Sequence, residues 1–281
     1  MNYTIENEFL KIEIDSLGAE LQAIRAKDDN HNFLWNGNPA IWAGRAPILF
    51  PIVGAMPQDK YLYKGKAYTM LKHGFARRSE FSLSAKTDTS LELTLRDSAE
   101  TLLNFPFSFR LDIRFSLNGK KLTVSHTVTN EGDDVMWFSL GAHPAFVCDL
   151  GDTLRFETKE TIGAHRLIDD LLTEHQEPFL DDSDIWTIKS DSFDLDAQIL
   201  EGLNSKAVTL ERQSGRNLRF GFNTPFLGIW AKPGAPYVCL EPWFGVDDTP
   251  THDGDFTKKK GIENLPPQET LTLTYDVEIV S

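Results

Sequence analysis

Phe107-Ser108-Phe109-Arg110-Leu111-Asp112-Ile113-Arg114-Phe115-Ser116-Leu117-Asn118-Gly119-Lys120-Lys121-Leu122-Thr123-Val124-Ser125-His126-Thr127-Val128 is the stretch that decides the fold. Apolar side chains fall on every second residue from Phe107 to Leu117 and again at Leu122, Val124 and Val128, the period of a strand with one buried face. Between the two runs stands Asn118-Gly119, a pair that tolerates the positive φ angles of a tight hairpin turn, so a long antiparallel hairpin is expected. His126 is in phase with the buried set and reads as a core residue. The same alternation marks Leu10-Ile12-Ile14, Leu91-Leu93-Leu95, Leu218-Phe220-Phe222 and Leu271-Leu273-Tyr275-Val277-Ile279, which places strands at both ends of the chain.

Helical signals are few. The clearest runs from Asp97 to Asn104, where Asp97 and Glu100 have the spacing of a capping box and Pro106 follows the end. Without alternating strands and helices, a parallel βαβ sheet is excluded in favour of an all-β fold of many antiparallel strands packed as a large sandwich. No Gly/Ser-rich linker, composition shift or repeat divides the sequence, so a single domain over residues 1–281 is expected.

Composition narrows the partners. The chain has 28 lysines and arginines against 42 aspartates and glutamates, a net charge of −14. Nucleic acids and anionic membranes are bound through clustered basic residues, and the densest run here is Lys258-Lys259-Lys260, so neither partner is expected. Ala46 to Met56, the longest stretch poor in charge, is too short to span a bilayer and holds two prolines. The first residues show no basic region followed by an apolar one, and a cytoplasmic address is expected. Cys148 and Cys239 are too few for a disulfide scaffold and read as buried thiols. The acidic residues from Asp181 to Asp196 lack the glycine-turn spacing of a calcium loop and read as a surface excursion. His31, His165, His175 and His252 have polar neighbours and are expected at the surface.

Three segments depart from strand pattern. Gly44-Arg45-Ala46-Pro47-Ile48-Leu49-Phe50-Pro51-Ile52-Val53-Gly54 leads on to Lys72-His73-Gly74-Phe75-Ala76-Arg77-Arg78, where glycine permits close backbone approach and the arginines offer forks of donors for hydroxyl or phosphate oxygens. In Ser139-Leu140-Gly141-Ala142-His143-Pro144-Ala145-Phe146, Pro144 holds His143 in an extended conformation and restricts its ring, which suits a positioned acid. In Tyr237-Val238-Cys239-Leu240-Glu241-Pro242-Trp243-Phe244-Gly245, desolvation at the end of an apolar strand raises the Glu241 carboxyl toward the range of a general base, and Trp243 offers an apolar face to a sugar. Each residue also has a purely structural reading: His73 bonding a loop carbonyl, His143 satisfying a core group, Glu241 pairing with a buried arginine. His73, His143 and Glu241 together could hold a metal, but no HxH or HExxH pair anchors such a site, and none is expected. Serine-hydrolase and P-loop signatures are absent.

These segments, with Gly18-Ala19-Glu20-Leu21, Trp42 to Gly54 and Gly261-Ile262-Glu263-Asn264-Leu265-Pro266-Pro267-Gln268-Glu269, resemble in order and along nearly the full chain the aldose 1-epimerase (galactose mutarotase) family. The sequence looks closest to a short bacterial branch related to hexose-6-phosphate mutarotases, because His73 is followed by Gly-Phe-Ala-Arg rather than by a longer asparagine-rich His-Gly-Gly loop. The resemblance implies an antiparallel β-supersandwich with a sugar cleft and cofactor-free interconversion of the α and β anomers of a hexose or hexose phosphate. It implies Glu241 as the base that takes the C1 hydroxyl proton and His143 as the acid that protonates the ring oxygen. His73, Arg45 and Arg77 would hold ring hydroxyls or a phosphate, with Asp196 as a further carboxylate and Trp243 beside the sugar. A protonated histidine working with an ionised glutamate implies a bell-shaped pH profile. Arg45, Arg77 and Arg78 together motivate a phosphate clamp. The competing readings are a sugar-binding or sensing module on the same fold and a metal-dependent isomerase. The partner is a small sugar or sugar phosphate, and the protein a monomer or homodimer.

Overall fold

The computed structural model describes residues 1–280. Among them the fold is all-β, as the alternation requires. A sheet of fifteen strands runs from Ser82–Lys86 at one edge to Ile48–Leu49 at the other. Within it the Thr270–Val280 strand pairs antiparallel with Lys121–Asn130 on one side and Asn217–Phe222 on the other. The last strand of the chain therefore ties an early strand to a late one, and it does so by burying Leu273, Tyr275 and Val277 at 0–3 % exposure. Each such side chain contributes about 1.5–3 kcal/mol of burial. A separate three-stranded sheet is formed by Asn2–Glu6, Leu10–Asp15 and Leu21–Ala26. The main core is one contiguous cluster from Ile5 to Val277.

The deciding hairpin forms, with Phe109–Asn118 paired to Lys121–Asn130. Asn118 closes the ladder opposite Lys121, so the two turn residues are Gly119 and Lys120, one place later than the Asn-Gly pair suggests. Gly119 takes the positive φ of +57°. The helix shrinks to the single turn Thr101–Asn104. Its capping box does not form: Asp97 instead accepts hydrogen bonds from the Ser108 hydroxyl and the Phe109 N–H, tying it to the next strand. Ser98 and Thr101 cap each other reciprocally through hydroxyl and backbone N–H. Three histidines expected at the surface are not fully there: His31 is half-buried, edge-on to Phe33 and with its Nε2 2.9 Å from an Arg212 nitrogen. His165 is buried beside Glu201 and Gln176, and His252 is half-buried with its Nδ1 2.8 Å from Asp248. The basic run is consumed internally as well: Lys258 pairs with Asp253 and Asp255, Lys260 with Glu201, and the buried Lys259 donates to the Val53 and Val246 carbonyls. No helix among the described residues is long and apolar enough to cross a membrane.

His126 is a core residue, 2 % exposed and edge-on to Tyr275. Burial alone pushes its imidazole down to about 3. Because the unfolded chain takes up this proton from pH 6.5 downward while the folded one does not, stability falls as pH drops from 6.5 toward 3, by about 1.4 kcal/mol per unit. His126→Leu is therefore expected to move the acid unfolding midpoint, followed by circular dichroism, to lower pH. Coincident acid transitions for the two proteins would show that His126 carries no such linkage.

Candidate active site

The far end of the large sheet positions the site. The Tyr237–Phe244 strand is flanked by Phe226–Trp230 and by the short Leu140–Ala142 and Ala145–Val147 strands, which bracket His143. Strand period puts Cys239, Glu241 and Trp243 on one face. Trp243 is slotted between Gly141 and Gly228, where a Cβ would lie 2.7 Å from its indole, so both glycines are required for the ring to sit there. A small second apolar cluster, including Leu49, Ile199, Phe226 and Val246, supports it from below.

Above this floor is a cleft of about 360 Å³ lined by Trp42, His73, Arg77, His143, Asp196, Trp230, Glu241, Trp243 and Asp247, with Lys72, Leu167 and Asp170 at its side. His143 Nε2 and Glu241 Oε2 lie 3.2 Å apart. The contact is not aligned as a hydrogen bond, and Glu241 Oε2, His143 Nδ1 and Trp243 Nε1 are all buried without a partner. Unsatisfied buried polar atoms are costly, and here three of them converge beside one cleft.

Burial pushes the Glu241 carboxyl well up from its ordinary range; Lys72 opposes this, while Asp247 and Asp196 add to it. Burial likewise pushes His143 well down, with Arg77 and Lys72 acting in the same direction. These directions favour the neutral pair, protonated glutamate with neutral histidine, over the ionised pair expected from the sequence. Both arrangements hold one proton and differ only in which member carries it.

His73 is held by a reciprocal contact: its Nδ1 accepts from the Gly54 N–H at 3.0 Å and its own N–H donates to the Gly54 carbonyl. Burial, then the nearby His143 and Lys72, keep the ring neutral, so the proton sits on Nε2 and is available as a donor. Trp42 stacks on His143 at 5.1 Å between centroids, and Trp230 meets the same ring edge-on. Asp247 Oδ1 accepts from the Ala55 N–H.

Of the seven residues singled out in the sequence, His143, Glu241, His73, Arg77, Asp196 and Trp243 come together around this cleft. Arg45 does not: its Nη1 donates to the Gln22 carbonyl at 3.0 Å, outside the lining. Glu20 fixes that segment by accepting from the Arg45 and Ala46 N–H groups. Arg78 faces a separate groove with Met70, Leu71 and Phe75. Sequence reading missed Lys72, Asp170, Asp247 and the two tryptophan walls. Only Trp42 and Lys72 carried a signal, by lying within the segments that matched the family pattern.

The His143–Glu241 pair thus lies buried on the floor of a tryptophan-walled cleft in an antiparallel β-supersandwich. A model of the family described as aldose 1-epimerase matches residues 1–272. The chain belongs to the aldose 1-epimerase family, and the protein is an isomerase of the mutarotase kind. It is similar to the plasmid-encoded protein LacX of Lactococcus lactis subsp. lactis, with 32 % identity over 300 residues covering all of both chains. Among solved structures it is similar to a galactose mutarotase related enzyme from Lactobacillus acidophilus, at TM-score 0.95 and 32 % identity over 100 % of this chain and 98 % of that one. A galactose mutarotase-like protein from Lactobacillus casei superposes at TM-score 0.94 with 31 % identity and both chains fully covered.

Proposed function

We propose that the protein interconverts the anomers of an unphosphorylated aldose, with Glu241 and His143 moving the protons. The observation that carries this reading is the 3.2 Å approach of these two buried, otherwise unpartnered groups at the floor of the cleft. Ring opening needs a proton to leave the C1 hydroxyl as another reaches the ring oxygen. Passage of the shared proton from Glu241 to His143 across their 3.2 Å contact gives the carboxylate–imidazolium form, in which Glu241 takes the first proton and His143 gives the second. The aldehyde then rotates about C1–C2, and the pair, now protonated glutamate and neutral histidine, reverses the transfers on the other face. One proton serves the whole cycle, and each positioned transfer contributes about 10² to 10⁴ in rate. His73 Nε2–H and Arg77 donate to sugar oxygens, Asp196 accepts from a hydroxyl, and Trp243 closes the apolar side.

The pH dependence follows from the one-proton pair. kcat/KM, which reports the free enzyme, is expected to be bell-shaped. The acid limb, where the pair gains a second proton, lies below the ordinary histidine value of 6.5, because burial lowers His143. The alkaline limb, where the pair loses its proton, lies well above the ordinary carboxylate value of 4.5, because burial raises Glu241. An acid limb at or above 6.5 would contradict this assignment.

The cleft charges favour a neutral sugar. Of the three arginines that motivated a phosphate clamp, only Arg77 reaches the cleft, and with Lys72 it faces Asp170, Asp196 and Asp247. Two cations against three carboxylates leave a dianionic phosphate opposed. Polarimetry over a panel of aldoses and their 6-phosphates is expected to show kcat/KM at least about tenfold higher for the free sugar, roughly 1.4 kcal/mol. A higher value for the phosphate ester would overturn the substrate assignment and leave the proton mechanism intact. A single domain accords with the core that runs from Ile5 to Val277, Ser281 lying outside the described residues, and a cytoplasmic address accords with Cys148 and Cys239 as free, buried thiols.

A further inference from the structure

Cys239 lies two residues before Glu241 on the same face of one strand, and the His143-Pro144-Ala145 stretch runs alongside, with Ala145 in register with Cys239 and Pro144 accepting from the Leu240 N–H. This brings an imidazole nitrogen, a thiol sulfur and a carboxylate oxygen within 4.8 Å of one another. Donors around a tetrahedral zinc stand about 3.3–3.8 Å apart, given bonds of about 2.0–2.3 Å, so side-chain shifts of about 1 Å bring all three to bonding distance. The three residues are 9 %, 0 % and 1 % exposed, and neither Glu241 Oε2 nor His143 Nδ1 has a hydrogen-bond partner. His143 and Glu241 also line the cleft, which leaves a fourth coordination position open to solvent or ligand. Three mixed nitrogen, sulfur and oxygen ligands with one open position is a donor set suited to zinc and similar thiophilic divalent cations.

We propose that His143, Cys239 and Glu241 form a site for a thiophilic divalent cation, and that a bound cation inhibits the enzyme by occupying its acid–base pair. The inhibitory half rests on the roles proposed above for His143 and Glu241; the binding half does not. Cys239 takes no part in the sugar chemistry, so its thiol is the handle that separates the two. Binding displaces to solvent both the thiol proton and the one proton held by the His143–Glu241 pair, and so strengthens with rising pH.

The test uses the full-length protein with two probes. Zn²⁺ is expected to inhibit anomer interconversion competitively with sugar, with full recovery on adding a chelator. Co²⁺ is expected to give a near-ultraviolet thiolate-to-metal absorption band whether or not the protein turns over sugar. Loss of outer-shell partners alone weakens metal sites about 10- to 100-fold, so Cys239→Ser is expected to raise the Zn²⁺ inhibition constant by at least about 100-fold and to abolish the cobalt band. Cys239→Ala repeats the test with a smaller side chain should serine disturb the core, and Cys148→Ser, at the second buried thiol, keeps the band. Equal Zn²⁺ inhibition of wild type and Cys239→Ser, no cobalt band in wild type, or a band lost with Cys148 rather than Cys239 would overturn the site. A wild-type cobalt band with no turnover of any aldose would uphold the metal site and count against the proposed sugar chemistry alone.

Discussion

Glu241→Gln is expected to lower kcat for anomer interconversion by about 10²- to 10⁴-fold with little change in KM, the loss of one positioned proton transfer. Glutamine keeps the volume and the hydrogen-bonding reach of the side chain but cannot accept the C1 proton. The stability of the variant moves the other way. Burial raises the Glu241 carboxyl above its unfolded value, so its favourable contribution is present at acid pH and is lost as pH rises through the folded value. At neutral pH an uncharged amide is thus expected to leave the melting temperature unchanged or raised. A slow enzyme that melts at or above the wild-type temperature separates a chemical role from a structural one; a slow enzyme that melts lower does not support the assignment. The double variant with His143→Gln should be scarcely slower than either single one, because the two groups act as a unit.

Gly74→Ala is the second large effect, and it is conformational. Gly74 has φ +68°, and a Cβ there would lie 2.2 Å from the Phe50 carbonyl oxygen. That carbonyl already accepts from the Phe75 and Ala76 N–H groups, while the Phe50 ring packs among Phe75, Phe105, Phe109 and Phe138, so it has nowhere to retreat. Left-handed strain costs about 1–2 kcal/mol, and the clash adds to it. A destabilisation of about 3 kcal/mol or more is expected, lowering the melting temperature by about 5–10 °C. The displaced segment also carries His73 away from its reciprocal bonds to Gly54, so activity falls with stability. Gly65→Ala is the control. Its φ is +75° but no atom lies within 4 Å of an added Cβ, so a small loss of stability with normal activity is expected. Similar melting temperatures for the two variants would refute the close-approach argument.

The architecture was legible because it rests on a period of two. Leu273, Tyr275 and Val277, or Phe109 to Leu117, announce a buried face from local spacing alone, and the ladders form where that spacing places them. The helix was misjudged because Asp97 has a non-local alternative, the Ser108 and Phe109 donors, which no local pattern discloses. His165 failed as a surface residue for the same reason: Glu201, 36 positions away, satisfies it inside the fold. At the site, His143, Glu241 and His73 stood out through their backbone setting beside proline, strand end and glycine. Asp170 and Asp247 did not, because a carboxylate becomes a cleft residue only when a hairpin tip or a distant loop brings it there. Arg45 shows the converse. Its place in a matching segment was correct, yet its guanidinium turns to the Gln22 carbonyl, a choice fixed by tertiary geometry.

The proposed chemistry of Glu241 and His143 is the interconversion of sugar anomers by proton transfer. Exchange NMR of an aldose at anomeric equilibrium reads that step directly, as transfer of magnetisation between the α and β C1 protons. Wild-type protein at catalytic concentration is expected to accelerate the exchange for an unphosphorylated hexose, with Glu241→Gln and His143→Gln returning it to near the buffer rate while sugar still broadens on binding. Exchange accelerated as strongly by Glu241→Gln as by wild type would contradict it.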